Sequence, residues 1–206
     1  MALDAIGVLD ALQIDKAHIV GVSMGGMIAQ RIAIAASSRV LSLTSIMSSS
    51  GARGLPQAKS EVLRVLFNRP KSHALEAVAD YYVYFFKIIG SPGFPTDPVE
   101  TRERILTGLK RSYHPTGTLR QMVAIAADAI RHFELANITS PTLVIHGEHD
   151  PLVPHGNGVD TAKRIKGAEL VSVPGMGHDL PPGVVTKILE NCLPFFNKSV
   201  AKHEPT

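Results

Sequence analysis

This chain of 206 residues has a single cysteine, Cys192, so it can hold neither an internal disulfide nor a cluster of cysteine-bound metal. A lone cysteine of this kind reads as a small buried hydrophobe. No stretch approaches the roughly 18 apolar residues that span a bilayer, and Asp4 and Asp10 stand where a secretory leader carries Lys or Arg. A cytoplasmic location away from membranes is therefore expected, and the triplets Asn137-Ile138-Thr139 and Asn197-Lys198-Ser199 carry no glycosylation signal there. Charge of one sign is also scarce: 21 Lys+Arg against 18 Asp+Glu leave +3. Although the pI is near 9.1, the basic residues are scattered, with no stripe to track phosphates, so no nucleic-acid partner is expected. Neither an internal repeat nor a low-complexity tract interrupts the chain. With 45% of its residues apolar, it describes one globular domain with room for an insertion.

The apolar residues that are present change period along the chain. Ala2–Gln13 has helical spacing through Ile6, Leu9 and Leu12. Ala17–Val22 is short, β-branched and nearly all apolar, as expected of a parallel strand covered on both faces. A helix over Met24–Ala36 and a strand over Val40–Ser48 follow, and strand, helix, strand implies a right-handed parallel crossover. From Ser49 the pattern turns to loop and then to helices near Gln57–Phe67, His73–Ile89, Pro98–Tyr113 and Gly117–Leu135, with Ser91-Pro92-Gly93-Phe94-Pro95 as a breaker. Alternation returns with the strand Thr142–His146, a helix near Gly158–Lys166, the strand Glu169–Val173 and a helix from Pro182 to Phe196. The tail Asn197–Thr206 is polar and expected to fray. The fold class is α/β, about four parallel strands with flanking helices. Residues 1–54 and 136–206 form the core and 55–135 an all-helical cap.

Chemistry concentrates at the ends of these strands. Gly21-Val22-Ser23-Met24-Gly25 has Gly-x-Ser-x-Gly spacing where a strand turns into a helix. A sharp turn there strains Ser23 and pushes its hydroxyl into the open, while Gly21 and Gly25 lack side chains that would collide. The bland alternative is that glycines and a serine merely end a strand. A serine hydroxyl needs a base, and the base a carboxylate to hold its tautomer. Asp150 lies just past the strand Thr142–His146, and His178 just past Glu169–Val173, so all three groups fall on the edge where open parallel sheets bind ligands. Glu148 is the rival to Asp150. His18 and His146 read as structural. A metal cluster of His146, Glu148, His149, Asp150 and His155 is disfavoured, because strand-end and loop positions lack the helical spacing of a zinc motif, so no metal is expected.

Tyr81-Tyr82-Val83-Tyr84-Phe85-Phe86 gathers five of the eleven aromatic residues, four tyrosines and seven phenylalanines in all. On a helix Tyr81, Tyr82 and Phe85 share a face, which either covers an apolar pocket or packs within the cap. Met24, Met27, Leu152 and Val153 flank the three polar groups in sequence and favour an uncharged organic substrate.

The wording Val-Gly-Val-Ser-Met-Gly-Gly-Met-Ile-Ala-Gln at Val20–Gln30 and Gly-Met-Gly-His-Asp-Leu-Pro at Gly175–Pro181 resembles the α/β-hydrolase superfamily, in its carboxylic-ester hydrolase branch. The order Ser23, Asp150, His178 is also that superfamily's order. The resemblance implies Ser23 as nucleophile, His178 as base, Asp150 as its orienting acid, the Met24 backbone N–H in an oxyanion hole, a helical cap and no cofactor. Its expected substrate is a small apolar ester. It also implies four further strands before the point corresponding to Met1, so that 17–22 becomes a sheet edge, a template for a second copy or an additional N-terminal segment. The second oxyanion donor normally comes from a loop in that preceding region.

Overall fold

The computed structural model describes residues 1–68, 70, 72 and 74–201. Four strands, β1 (Ala17–Val22), β2 (Val40–Ile46), β3 (Thr142–Gly147) and β4 (Glu169–Val173), form one parallel sheet in chain order. In-register pairs such as Ile19 with Leu43, Thr44 with Leu143 and Ile145 with Val171 bring the C-terminal ends to one rim.

The sheet serves two cores, one on each face. On one face Ile46, Leu143, Ile145 and Val173 meet Val184, Ile188, Cys192 and Phe195 of α8 (Pro182–Ala201). Cys192 is buried there as a small apolar residue, and burial pushes its thiol up against the weaker pull of the Thr44 hydroxyl. On the other face Val40 and Leu43 meet Ala29, Ile32 and Ala33 of α2 (Met24–Ala35). The same cluster takes in Leu135, Ile138 and Ile165, with α1 (Ala2–Ala11) packed on through Ala2, Ala5 and Ile6. Between β2 and β3 come α3 (Ser60–Phe67), α4 (Leu75–Ile89), α5 (Pro98–Arg111) and α6 (Pro115–Ala127), and α7 (Gly156–Arg164) joins β3 to β4.

Four sequence expectations are corrected. β1 lies at the sheet edge, as the resemblance implies, but it is not covered on both faces as its composition suggests, and Val20 is 48% exposed. The helix expected over Gly117–Leu135 stops at Ala127, and 3₁₀ turns follow at Arg131–Phe133 and Leu135–Asn137. The break lets Arg131 turn inward, where it donates to Asp128, to Gln30 Oε1 (2.8 Å) and to the Ser49 carbonyl (2.9 Å). The last helix does not fray at Asn197 but runs through Pro194 to Ala201, with Phe195 and Ser199 buried and Lys198 paired with Glu169 at 2.7 Å. The strand after α2 ends at Ile46, two residues early, as Met47 takes φ 40°. The expected helix start at His73, and residues 202–206 of the tail, lie outside the described residues.

Candidate active site

Three strand ends build the site. At the end of β1, Ser23 takes φ 55° and ψ −120°, a region that costs a non-glycine residue about 1–3 kcal/mol. Its amide donates to the Ile46 carbonyl (2.9 Å), and its carbonyl accepts from Ser48 Oγ (2.7 Å) and the Gly26 amide (2.9 Å). The turn is thus fastened on one side to the end of β2 and on the other to Ser48, just beyond it. A Cβ on Gly21 would stand 2.0 Å from the Gly25 carbonyl oxygen, so Gly21 is required by a backbone approach. Gly25 differs from expectation, because a Cβ there meets nothing within 4 Å. The second required glycine is Gly26, where a Cβ would lie 2.6 Å from Ser48 Cβ; its signal in the sequence was the Gly25-Gly26 pair, whose two members only packing against β2 tells apart.

After β3 the chain turns so that Asp150 is buried, its Oδ1 accepting from the amides of Leu152 (2.9 Å) and Val153 (2.8 Å). After β4 comes His178. His178 Nδ1 lies 2.7 Å from Asp150 Oδ2, and His178 Nε2 lies 2.9 Å from Ser23 Oγ. An ionised carboxylate only accepts hydrogen bonds, so Nδ1 carries the proton and Nε2 is left to accept from the serine hydroxyl. Of the two carboxylates that the sequence offers, Asp150 makes this contact, whereas Glu148 is exposed.

Three further histidines are occupied elsewhere. His146 Nε2 donates to the Val153 carbonyl (2.7 Å), and burial holds the ring below its ordinary pKa, hence neutral. His155 is bonded to Ser172 Oγ (2.7 Å), and His18 lies against Ser42 Oγ (2.7 Å) and stacks on Phe196. Among the described residues no group of three or more His, Cys, Asp or Glu is arranged to hold a metal.

Ser23 and His178 open into a cleft of about 1390 Å³. Its walls are mostly apolar: Val22 and Met47 below, Tyr82, Val83 and Phe86 of α4, Ile105 and Leu109 of α5, with Phe94 and Leu180. Lys87, Arg104, His149 and Asp179 add polar atoms. Of the expected pocket residues, Tyr82 lies on this wall and the others do not. Tyr81 and Phe85 turn toward α3, where Phe85 packs with Val62, Val65 and Ile89, and the Tyr81 hydroxyl donates to the Val65 carbonyl (2.5 Å). Leu152 joins that cluster, and the carbonyl of Val153 is taken by His146. Met27 and the Met24 side chain face α1 and α6 in a separate recess of about 190 Å³. The helix face toward the cleft is therefore Tyr82, Val83 and Phe86, one residue round from the expected one, because α3 claims the first.

The match to the alpha/beta hydrolase family model extends over residues 2–183. The chain belongs to the alpha/beta hydrolase family. Among similar family members, a rhodomycin D methylesterase from Streptomyces sp. (strain C5) is 30% identical over 203 residues, covering 89% of this chain and 68% of that protein. A 2-hydroxy-6-oxononadienedioate/2-hydroxy-6-oxononatrienedioate hydrolase from Pseudomonas sp is 29% identical over 180 residues, covering 84% of this chain and 60% of that protein. Of solved structures, a meta-cleavage product hydrolase from Pseudomonas fluorescens IP01 shares the fold, with a TM-score of 0.73 at 23% identity over 95% of this chain and 70% of that one. This alpha/beta hydrolase thus spans about two thirds of such relatives. No helix among its described residues is long and apolar enough to cross a membrane.

Proposed function

We propose that this chain is a serine hydrolase of carboxylic esters, with Ser23 as nucleophile, His178 as base and Asp150 as the acid that orients it. The observation that carries the reading is the bonded series Ser23 Oγ, His178, Asp150, at 2.9 and 2.7 Å, opening into an apolar cleft. The similarity to a methylesterase supports it.

Each group has a step. As Ser23 Oγ bonds to the ester carbonyl carbon, its proton passes to His178 Nε2, and Asp150 stabilises the imidazolium. The oxygen that gains charge meets the amide of Met24 at the start of α2, where the helix dipole is positive. The carbon–alkoxy bond then breaks, and His178 returns the proton to the departing alcohol. Water adds to the acyl-serine as its proton passes to His178, and His178 returns that proton to Ser23 Oγ as the acyl–oxygen bond breaks and the acid is released. Turnover of a p-nitrophenyl ester by wild type and Ser23→Ala tests the assignment: the variant is expected to fall roughly 10⁴-fold or more, and equal rates would reject it.

The same groups serve hydrolysis of a carbon–carbon bond, a reading supported by the 2-hydroxy-6-oxononadienedioate hydrolase relative, and they also serve cofactor-free perhydrolysis. A substrate panel separates these from the ester. A second reading, favoured by the exposed edge at Val20, is a binding module of the same fold that pairs through β1 with a second copy or an added strand. A dimer by size-exclusion mass that hydrolyses no panel member would favour it.

A further inference from the structure

The loop that carries His178 is held by the inserted helices as well as by the sheet. At the end of α4 the Ile89 carbonyl accepts from the His178 amide at 2.7 Å. Two residues on, Ser91 Oγ accepts from the Gly177 amide (2.8 Å) and lies 2.5 Å from Asp179 Oδ1. With the Gly177 amide already on its oxygen, the Ser91 hydroxyl has its own proton free to give to Asp179. The Gly93 amide donates to the Gly175 carbonyl (2.9 Å). No slack is left between the loops: a Cβ on Gly177 would stand 2.2 Å from the Gly90 carbonyl oxygen.

Ser91 is buried and Asp179 about half-buried. Burial pushes the Asp179 carboxyl above the usual range, against the pull of Ser91, Arg104 and His178. A carboxyl kept where its charge is poorly solvated costs stability, and such costs concentrate at functional positions. Yet Asp179 touches neither Asp150 nor Ser23 through any hydrogen bond.

We propose that Ser91 and Asp179 are positioning residues for His178, latching its loop to the end of α4 so that the imidazole meets Ser23 and Asp150 together. The seating of α4 then becomes a condition for an assembled site. The effect on rate rests on the ester-hydrolase reading, whereas the effect on His178 geometry does not. Removing the hydroxyl leaves the Gly177 amide without its partner and the Asp179 carboxyl with only the Ser91 backbone donor, and so loosens the loop that carries His178. A displacement of about 1 Å at such a site costs on the order of 10²-fold in rate.

The test combines kinetics with proton NMR of the His178 Nδ1–H, assigned by its absence from His178→Gln. Ser91→Ala and Asp179→Ala are expected to lower kcat about 10- to 100-fold with little change in KM, and to broaden the low-field resonance through solvent exchange. Asp179→Asn retains an acceptor for Ser91 and is expected to restore both the sharp resonance and most of kcat. Should Ser91→Ala not fold, the two Asp179 variants decide alone. An Asp179→Ala protein with wild-type kcat and a sharp resonance overturns the proposal, as does an Asp179→Asn protein no better than Asp179→Ala. If the ester reading fails because wild type turns over no ester, the resonance still decides the latch.

Discussion

The rim of the sheet and the inserted helices face each other across one cleft, but different physics places their residues. At the rim the backbone decides. Ser23 is set by a strained turn pinned to β2, and Asp150 by two amides of its own loop. In the insertion side-chain hydrogen bonds decide: Tyr81 to the Val65 carbonyl, Ser91 to Asp179, and Arg131 to Asp128, Gln30 and Ser49. A backbone device tolerates changed side chains around it but not an added atom within it. A side-chain device fails when one partner is cut.

Substitutions at matched positions break this comparison most sharply. Gly21→Ala puts a methyl group 2.0 Å from the Gly25 carbonyl oxygen, and it is expected to cost more than about 4 kcal/mol, read as loss of folded protein in urea melts. In the insertion the corresponding loss is Asp128→Ala, which strands the buried Arg131 guanidinium. Cutting one member of a buried pair costs about 3–5 kcal/mol, and the lower figure applies because the Asp128 side chain is 26% exposed.

The same pair gives a pH signature. Burial acts to raise the pKa of Asp128, but hydrogen bonds from Arg31 and Arg131 outweigh it and hold the carboxyl below its ordinary value. A depressed carboxyl contributes stability above its unfolded value, about 4, and that contribution is lost as pH falls through the folded value. Urea melts of wild type and Asp128→Ala should therefore converge as pH is lowered from 7 toward 3. A constant gap would remove the ion pair from the account.

Smaller effects sharpen the contrast. Phe86→Ala removes an apolar part of the cleft wall, and it should raise KM for a hydrophobic ester about tenfold with kcat nearly kept. Phe85→Ala, directed at the α3 contact instead, should lower stability and leave KM alone. Gly25→Ala has open space for its methyl group and should stabilise α2 by about 0.5–1 kcal/mol in the same melts.

Those differences also mark what could be read from the sequence. The four strands were legible because β-branched apolar runs between turn residues have few other uses. Ser23, Asp150 and His178 were legible as candidates because each lies just past a strand, where a parallel sheet gathers distant residues. The phase of α4 was not legible: Tyr81-Tyr82 and Phe85-Phe86 offer two equally aromatic faces, and only the place of α3 selects between them. Ser91 and Asp179 stand 88 residues apart, and neither carries a local pattern announcing the other. Likewise Arg131 sits within an apparently continuous helical stretch, and its inward turn follows from partners on α2 and the segment after β2. The edge position of β1 is set by what lies beside it, which its own composition does not record.

The most direct test of the central claim is mass-spectrometric mapping of a fluorophosphonate on wild type and on His178→Gln. An activated Ser23 predicts one label per chain, on the peptide containing Ser23, and its loss in the His178 variant. A wild-type protein that stays unlabelled, or one labelled equally well without the imidazole, would contradict it.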